Sequence, residues 1–271
     1  MAPTDANARA PDRAGPFYRR IIAWLAGFED GQIMRVAFFI LLFGTLSVLY
    51  VDYRELTSAD ALLGAPAQPV LPPFNPDSPD DGPHPQVTTP TATLDAPMTI
   101  ALASGGILAL TGTIDIGAAD RFAAEVAAHG EYADTVGLDS PGGSVMDALA
   151  IGALIQEKGF ATAVAAGSLC ASSCPIIFAA GKQRLASDKA AIGVHQIYAA
   201  SISADPAQLA KTAGLAMSDA QSMTAQITRF LSSAGVDPAL WLHALETPPD
   251  HLYYLTPKEM EALKLATKIT H

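Results

Sequence analysis

The sequence predicts an α/β fold with a mainly parallel sheet, preceded by one transmembrane helix and a proline-rich linker. Three observations carry that prediction. From Met98 onward short apolar runs alternate with alanine-rich helical stretches, residues 36–51 run without a charge, and ten prolines fall between Pro66 and Pro97. The 271 residues, 50% of them hydrophobic, leave room for one good-sized domain plus appendages. They divide as an N-terminal segment over 1–35, a membrane helix over 36–53, a linker over 54–97 and a folded domain over 98–271.

Arg9, Arg13, Arg19, Arg20 and Arg35 precede the apolar run, which holds Phe38, Phe39, Ile40, Leu41, Leu42, Phe43, Leu46, Val48 and Leu49. The run is slightly short of the roughly 20 residues that span a bilayer. Ile33, Met34 and Tyr53 extend it, and Arg35 can snorkel to the headgroups. A buried soluble helix and a cleaved signal sequence are the alternatives, although no small-residue cleavage site closely follows the run. Arg54 is the only basic residue between Val36 and Ile100, so the amino terminus is expected to stay cytoplasmic and the rest to be exported, which in a bacterial cell means the periplasm. The proline-dense stretch, with Asp77, Asp80 and Asp81, reads as a semi-extended spacer or as a tail with no spacing role.

Within the domain, residues 99–103 and 107–110 read as strands and 118–128 as a helix. Residues 135–138 read as a buried strand closing in Asp139-Ser140-Pro141-Gly142-Gly143, whose glycines permit close backbone approach, and 144–158 as the helix that starts there. That junction leaves free N–H groups suited to a developing oxyanion. Residues 162–166 form another small-residue strand, Gly167-Ser168 a turn, and Pro175 the first turn of a helix. Ser172 then sits at a strand-to-helix turn with the Ser173 N–H beside it. After a short strand over 183–187, residues 191–194 deliver His195, a candidate base for a serine hydroxyl that is a poor nucleophile by itself. From Pro206 to Ala234 the chain is helical, with a stripe of Leu209, Ala213, Ala216, Ala220, Met223, Ile227 and Leu231 that reads as core or subunit interface.

Ser140-Pro141-Gly142-Gly143-Ser144-Val145, then Ala171-Ser172 ahead of an apolar helix ending Ala179-Ala180-Gly181, then Val194-His195-Gln196, is similar to the Clp protease proteolytic-subunit family. The resemblance covers roughly residues 108–269, with 110–114 like that family's first strand and turn and 254–259 like the segment before its last helix. It implies a Clp protease/crotonase-like fold, Ser172 as nucleophile, His195 as general base, and the amides of Gly143 and Ser173 as oxyanion hole. The chain departs from the family at Cys174, where glycine is usual, and its third acid falls near Leu252. Asp250 is the first candidate for the orienting carboxylate and Glu246 the second, while Pro248-Pro249-Asp250 also reads as an ordinary turn. By analogy the helical stripe is the arm through which subunits self-associate, giving a homo-oligomer.

Cys170 and Cys174 bracket Ser172, and in an exported domain they are expected to form a disulfide, two small buried thiols being the alternative. Two cysteines with one nearby histidine do not make a zinc site, and His84, His129, His243, His251 and His271 show no metal spacing. Ser144 and Ser168 read as helix-start and turn residues, and Lys182 and Lys189 as loop charges rather than the base of a Ser-Lys dyad. A net charge of −11 argues against a nucleic-acid surface. With no phosphate loop, dinucleotide fingerprint or unfoldase module, no cofactor is expected and any proteolysis is ATP-independent within this chain. The expected function is a membrane-anchored serine hydrolase, a peptidase acting on a peptide or protein substrate. A non-catalytic binding or scaffold domain is the alternative, and coenzyme-A chemistry of the crotonase kind is a third reading that the Ser-His pair argues against.

Overall fold

The computed structural model describes residues 30–64, 70–74, 85–197 and 206–271. The chain forms two compact units, Met1–Pro66 and Ala67–His271. In the first, helix α1 covers Asp30–Gly64, longer at both ends than the expected 36–53. Its 35 residues make a rod of about 50 Å. The window Met34–Val51 is long and apolar enough to cross a membrane, and none of it is buried within the protein. A core helix hides such a face, whereas here Phe38, Ile40 and Phe43 are more than half exposed. Arg9, Arg13, Arg19 and Arg20 lie outside the described residues.

The second unit runs α2 (Thr91–Asp95), β1 (Thr99–Ala103), β2 (Ile107–Thr111), α3 (Ala118–His129), β3 (Thr135–Asp139), α4 (Val145–Lys158), β4 (Ala161–Val164) and β5 (Leu169–Ala171). It continues through α5 (Cys174–Ala179), β6 (Arg184–Ser187), β7 (Ala191–Val194), α6 (Pro206–Ser233), α7 (Leu240–Glu246), β8 (Tyr253–Tyr254), α8 (Pro257–Ala262) and β9 (Lys268–Thr270). The strands form two sheets, ordered β1-β2-β3-β4-β6-β9 and β5-β7-β8. Among the described strands, only β1 against β2 and β8 against β7 are antiparallel. The expected mainly parallel α/β fold is therefore present, but divided.

The pattern of residues accounts for the layers. Leu108 and Leu110 on β2, Val136 and Leu138 on β3, Phe122 and Val126 on α3, and Ile151 and Ile155 on α4 are all buried in one core. Period two on the strands and period four on the helices turn those residues inward together. Helix α5 is buried along its whole length, and α6 inserts Ile227 and Leu231 while Leu215 and Met217 stay exposed. Leu209 and Ala213 lie on α6 where side chains are not described.

The division into two sheets follows from the turn at residues 165–168. Gly167 has φ 75°, and a Cβ there would meet Thr88 Oγ1 at 2.4 Å. The chain turns sharply enough that β5 leaves the β4 sheet and pairs instead with β7, Ala171 opposite Gly193. A bridge between Ser140 and Cys170 joins the sheets just ahead of both glycine- and serine-bearing turns.

The proline-rich stretch also departs from the expected free linker. Residues 70–74 and 85–97 belong to the compact unit, which starts at Ala67 rather than near Met98. Proline lacks an N–H but keeps its carbonyl, and the Pro72 carbonyl accepts the Leu252 amide at 2.9 Å. Residues 75–84, with Pro76, Pro79 and Pro83, lie outside the described residues.

Candidate active site

Three turns meet where β3, β5 and β7 end. The first follows β3. The Ser140 hydroxyl accepts the Gly142 amide at 3.1 Å, and the Gly142 carbonyl accepts the Ile114 amide at 2.8 Å. Gly142 and Gly143 have φ of 100° and 140°, conformations that glycine reaches without strain. A Cβ on Gly142 would lie 2.5 Å from the Ser172 Cβ and 2.7 Å from the Ala171 carbonyl oxygen. The glycine is thus a contact requirement: the turn that carries Ser172 lies directly against it.

Helix α4 then starts at Ser144, whose hydroxyl accepts the Asp147 amide at 3.2 Å and donates to the Asp147 carboxylate at 2.6 Å. The other Asp147 oxygen accepts the Gly117 and Ala119 amides at 3.0 and 3.1 Å. Helices α3 and α4 are pinned together behind the glycine turn.

The second turn carries Ser172. Its φ is 60°, one of two non-glycine residues with positive φ among the described residues. For serine that conformation costs on the order of 1–3 kcal/mol and persists only where the surroundings impose it. Here they do. The Ser172 amide donates to the Gly193 carbonyl at 3.0 Å, and Ala171 donates to the Ser140 carbonyl at 3.0 Å. Cys170 and Cys174 are joined in a disulfide across the turn, with Cα atoms 5.1 Å apart, and no described cysteine is free. Cys170 sits on β5 and Cys174 opens α5, which makes the four-residue spacing workable. Pro175 occupies the first turn of α5.

Ser172 is partly exposed, Ser173 buried and Gly143 exposed. The Ser173 hydroxyl donates to the Gly143 carbonyl at 3.1 Å and fastens the two turns together. Among the described residues, the Gly143 and Ser173 amides donate to no protein acceptor. Two backbone donors thus belong to the turns that meet at the partly exposed Ser172.

The third turn begins at His195, directly after β7. Among the described residues its Nδ1 is buried without a hydrogen-bond partner. Burial holds the imidazole below its ordinary value of 6.5, and the Pro249 backbone carbonyl acts in the opposite direction. Gln196 follows, its amide donating to the Thr247 carbonyl at 3.0 Å and its side chain to the Leu245 carbonyl at 2.7 Å. No hydrogen bond links the Ser172 hydroxyl to His195 among the described residues; the strand register brings the two to one edge.

The structure does not bring Asp250 to the imidazole. Its carboxylate accepts from His251 Nδ1 at 2.9 Å, and its side chain is 73% exposed. That pairing holds the Asp250 carboxyl below its usual range. Glu246, the second candidate, is exposed at the end of α7. Lys182 and Lys189 are exposed, and Lys189 precedes β7, at the end of that strand remote from His195. His84 lies outside the described residues, and among those described no group of three or more His, Cys, Asp or Glu is placed to hold a metal.

A cavity of about 550 Å³ lies elsewhere, lined by Thr88, Gly167, Asp188, Lys189, Ile192 and Tyr254 among others. These residues gather where β5 and β7 begin, and neither Ser172 nor His195 is among the lining. Three positioning roles escaped the sequence reading: Ile114 pairing along the glycine turn, Ser140 holding Gly142, and Pro249 facing the histidine. Ser-Pro-Gly was a turn signal for the second; the other two depend on tertiary pairing. No protein-family model and no curated protein matches this chain.

Proposed function

We propose that the chain is a membrane-anchored serine hydrolase resembling the Clp protease proteolytic subunit, an ATP-independent peptidase whose catalytic domain is exported and whose amino terminus is cytoplasmic. The observation that carries the reading is Ser172 at φ 60° on a strand-to-helix turn, flanked by the unengaged Gly143 and Ser173 amides. A serine held in a costly backbone conformation beside two free donors is what acyl transfer needs and what packing alone does not.

In this mechanism His195 takes the Ser172 proton as the oxygen attacks a peptide carbonyl. The carbonyl electron pair moves to oxygen, and the Gly143 and Ser173 amides stabilise that charge. Collapse breaks the C–N bond while His195 returns the proton to the leaving amine. Water, deprotonated by His195, then cleaves the acyl ester and restores the Ser172 hydroxyl. An oxyanion donor of this kind lowers the barrier by about 3 to 4 kcal/mol. The lowered imidazole pKa keeps His195 in its basic form at neutral pH.

The reading of a non-catalytic binding domain is favoured by one observation: among the described residues no carboxylate reaches His195 Nδ1. Incubating the detergent-solubilised full chain with a mixed peptide library, and reading new amino termini by mass spectrometry, separates the two. Cleavage by wild type that disappears in Ser172→Ala and in His195→Ala supports the hydrolase. A library left intact by folded, oxidised wild type supports the binding domain.

A further inference from the structure

Residues 70–74 lie within the stretch that composition assigned to a spacer, yet they pair like a strand. The Leu252 amide donates to the Pro72 carbonyl, and the Phe74 amide donates to the Leu252 carbonyl, each at 2.9 Å, in a parallel bridge centred on Pro73. The Tyr254 hydroxyl donates to the Leu71 carbonyl at 2.9 Å. Val70 and Leu71 pack on a small core made of Leu94, Leu169, Ala171, Ala191, Leu252 and Tyr254. Phe74 meets the His251 ring edge-on at 5.9 Å. This is strand addition within one chain, with main-chain bonds setting the register and apolar side chains filling the face below.

The segment that receives this added strand is the one facing His195. Leu252 leads into β8, which pairs with β7 through Tyr253 opposite Val194 and Tyr254 opposite Gly193. Three residues before Leu252, the Pro249 carbonyl faces the imidazole. Thr247 fastens the near end of the same loop by accepting the Gln196 amide. The loop from 247 to 252 is therefore tied at Thr247 to the residue after His195 and at Leu252 to residues 70–74. Among the described residues no carboxylate reaches Nδ1, and the backbone of this loop lies against the ring.

We propose that residues 70–74 are a positioning strand for His195, so that the functional domain includes the membrane-proximal part of the proline-rich stretch. The role rests on the hydrolase reading for its catalytic consequence but not for its structural one. Phe74→Pro removes the single N–H that bonds Leu252 in a segment already rich in proline, whereas Phe74→Ala keeps that N–H and loses only the ring.

The test uses the full chain in detergent, with the His195 and His251 imidazole resonances assigned by their loss in His195→Gln and His251→Gln. Phe74→Ala is expected to move the His251 resonance, because the ring is gone, and to leave His195 in place. Phe74→Pro is expected to move both and to slow fluorophosphonate labelling by about tenfold or more, the scale of a small misplacement of a catalytic group. If Phe74→Pro loses its fold by circular dichroism, Tyr254→Phe, which frees the Leu71 carbonyl, is expected to move the His195 resonance instead. A His195 resonance unmoved in the folded strand variant overturns the proposal. If wild type takes no label, the hydrolase reading falls while the resonances still decide the positioning role.

Discussion

The Ser172 amide donates to the Gly193 carbonyl at 3.0 Å, two residues ahead of His195. Because β5 and β7 run parallel with Ala171 opposite Gly193, the serine and the histidine emerge from neighbouring strands at the same edge. Ligands of parallel α/β sheets commonly bind outside the carboxyl ends of the strands. The Gly143 and Ser173 amides, which donate to no protein acceptor among the described residues, come from the two turns that follow β3 and β5.

Asp250→Asn is expected to change the rate of serine labelling by less than about threefold, because its carboxylate contacts His251 and not His195. In a triad whose carboxylate orients the base, the same substitution costs about 10⁴. Labelling time courses on the two proteins measure the difference, and a loss near the larger figure would place the carboxylate on His195 in the working state.

Gly142→Ala is expected to abolish labelling and lower stability. Its methyl would lie 2.5 Å from the Ser172 Cβ, and the φ of 100° alone disfavours alanine by about 1–3 kcal/mol. Denaturant midpoints with an unchanged slope report the stability part. Wild-type midpoint and labelling in the variant would show that the two turns are not in contact.

Cys170→Ala combined with Cys174→Ala is expected to destabilise the domain by about 2 kcal/mol, the loop-closure value for so short a ring. A larger effect is expected on labelling, since the bond clamps the turn that holds Ser172 at positive φ. Adding reductant to wild type reproduces both effects, whereas reductant leaves the double variant unchanged.

Activity is expected to rise with pH through the His195 pKa, with a midpoint below 6.5, because burial disfavours the charged ring. The same shift makes stability pH-dependent. Below 6.5 the unfolded chain takes up a proton that the folded chain still refuses, so His195 stabilises the fold fully above 6.5 and loses that contribution as pH falls through the folded pKa. A kcat/KM profile with its acidic midpoint above 6.5 contradicts the burial of the ring.

Much of the site was legible from local chemistry. Ser140-Pro141-Gly142-Gly143 announces a turn that only glycine tolerates, Pro175 marks a helix start, and two cysteines flanking a serine suggest a clamp. All three appear as turn, helix and disulfide. What stayed hidden depends on tertiary pairing. Strand β5 has three residues and β8 has two, too few for periodicity to show, and together with β7 they make the second sheet. Pro72 and Pro73 read as breakers because they lack donors, yet a strand edge used through its carbonyls accepts them. Asp250 was placed by sequence proximity, and the side chain turns to the adjacent His251 instead.

The central claim is that Ser172 is a nucleophile activated by His195. Its most direct test is fluorophosphonate labelling of the detergent-solubilised full chain, with the adduct mapped by mass spectrometry in wild type, Ser172→Ala, Ser173→Ala and His195→Ala, each checked for folding by circular dichroism. One adduct is expected, on Ser172, kept in Ser173→Ala and reduced about 10³-fold or more in His195→Ala. An adduct on another serine, or no adduct on folded and oxidised wild type, would contradict it.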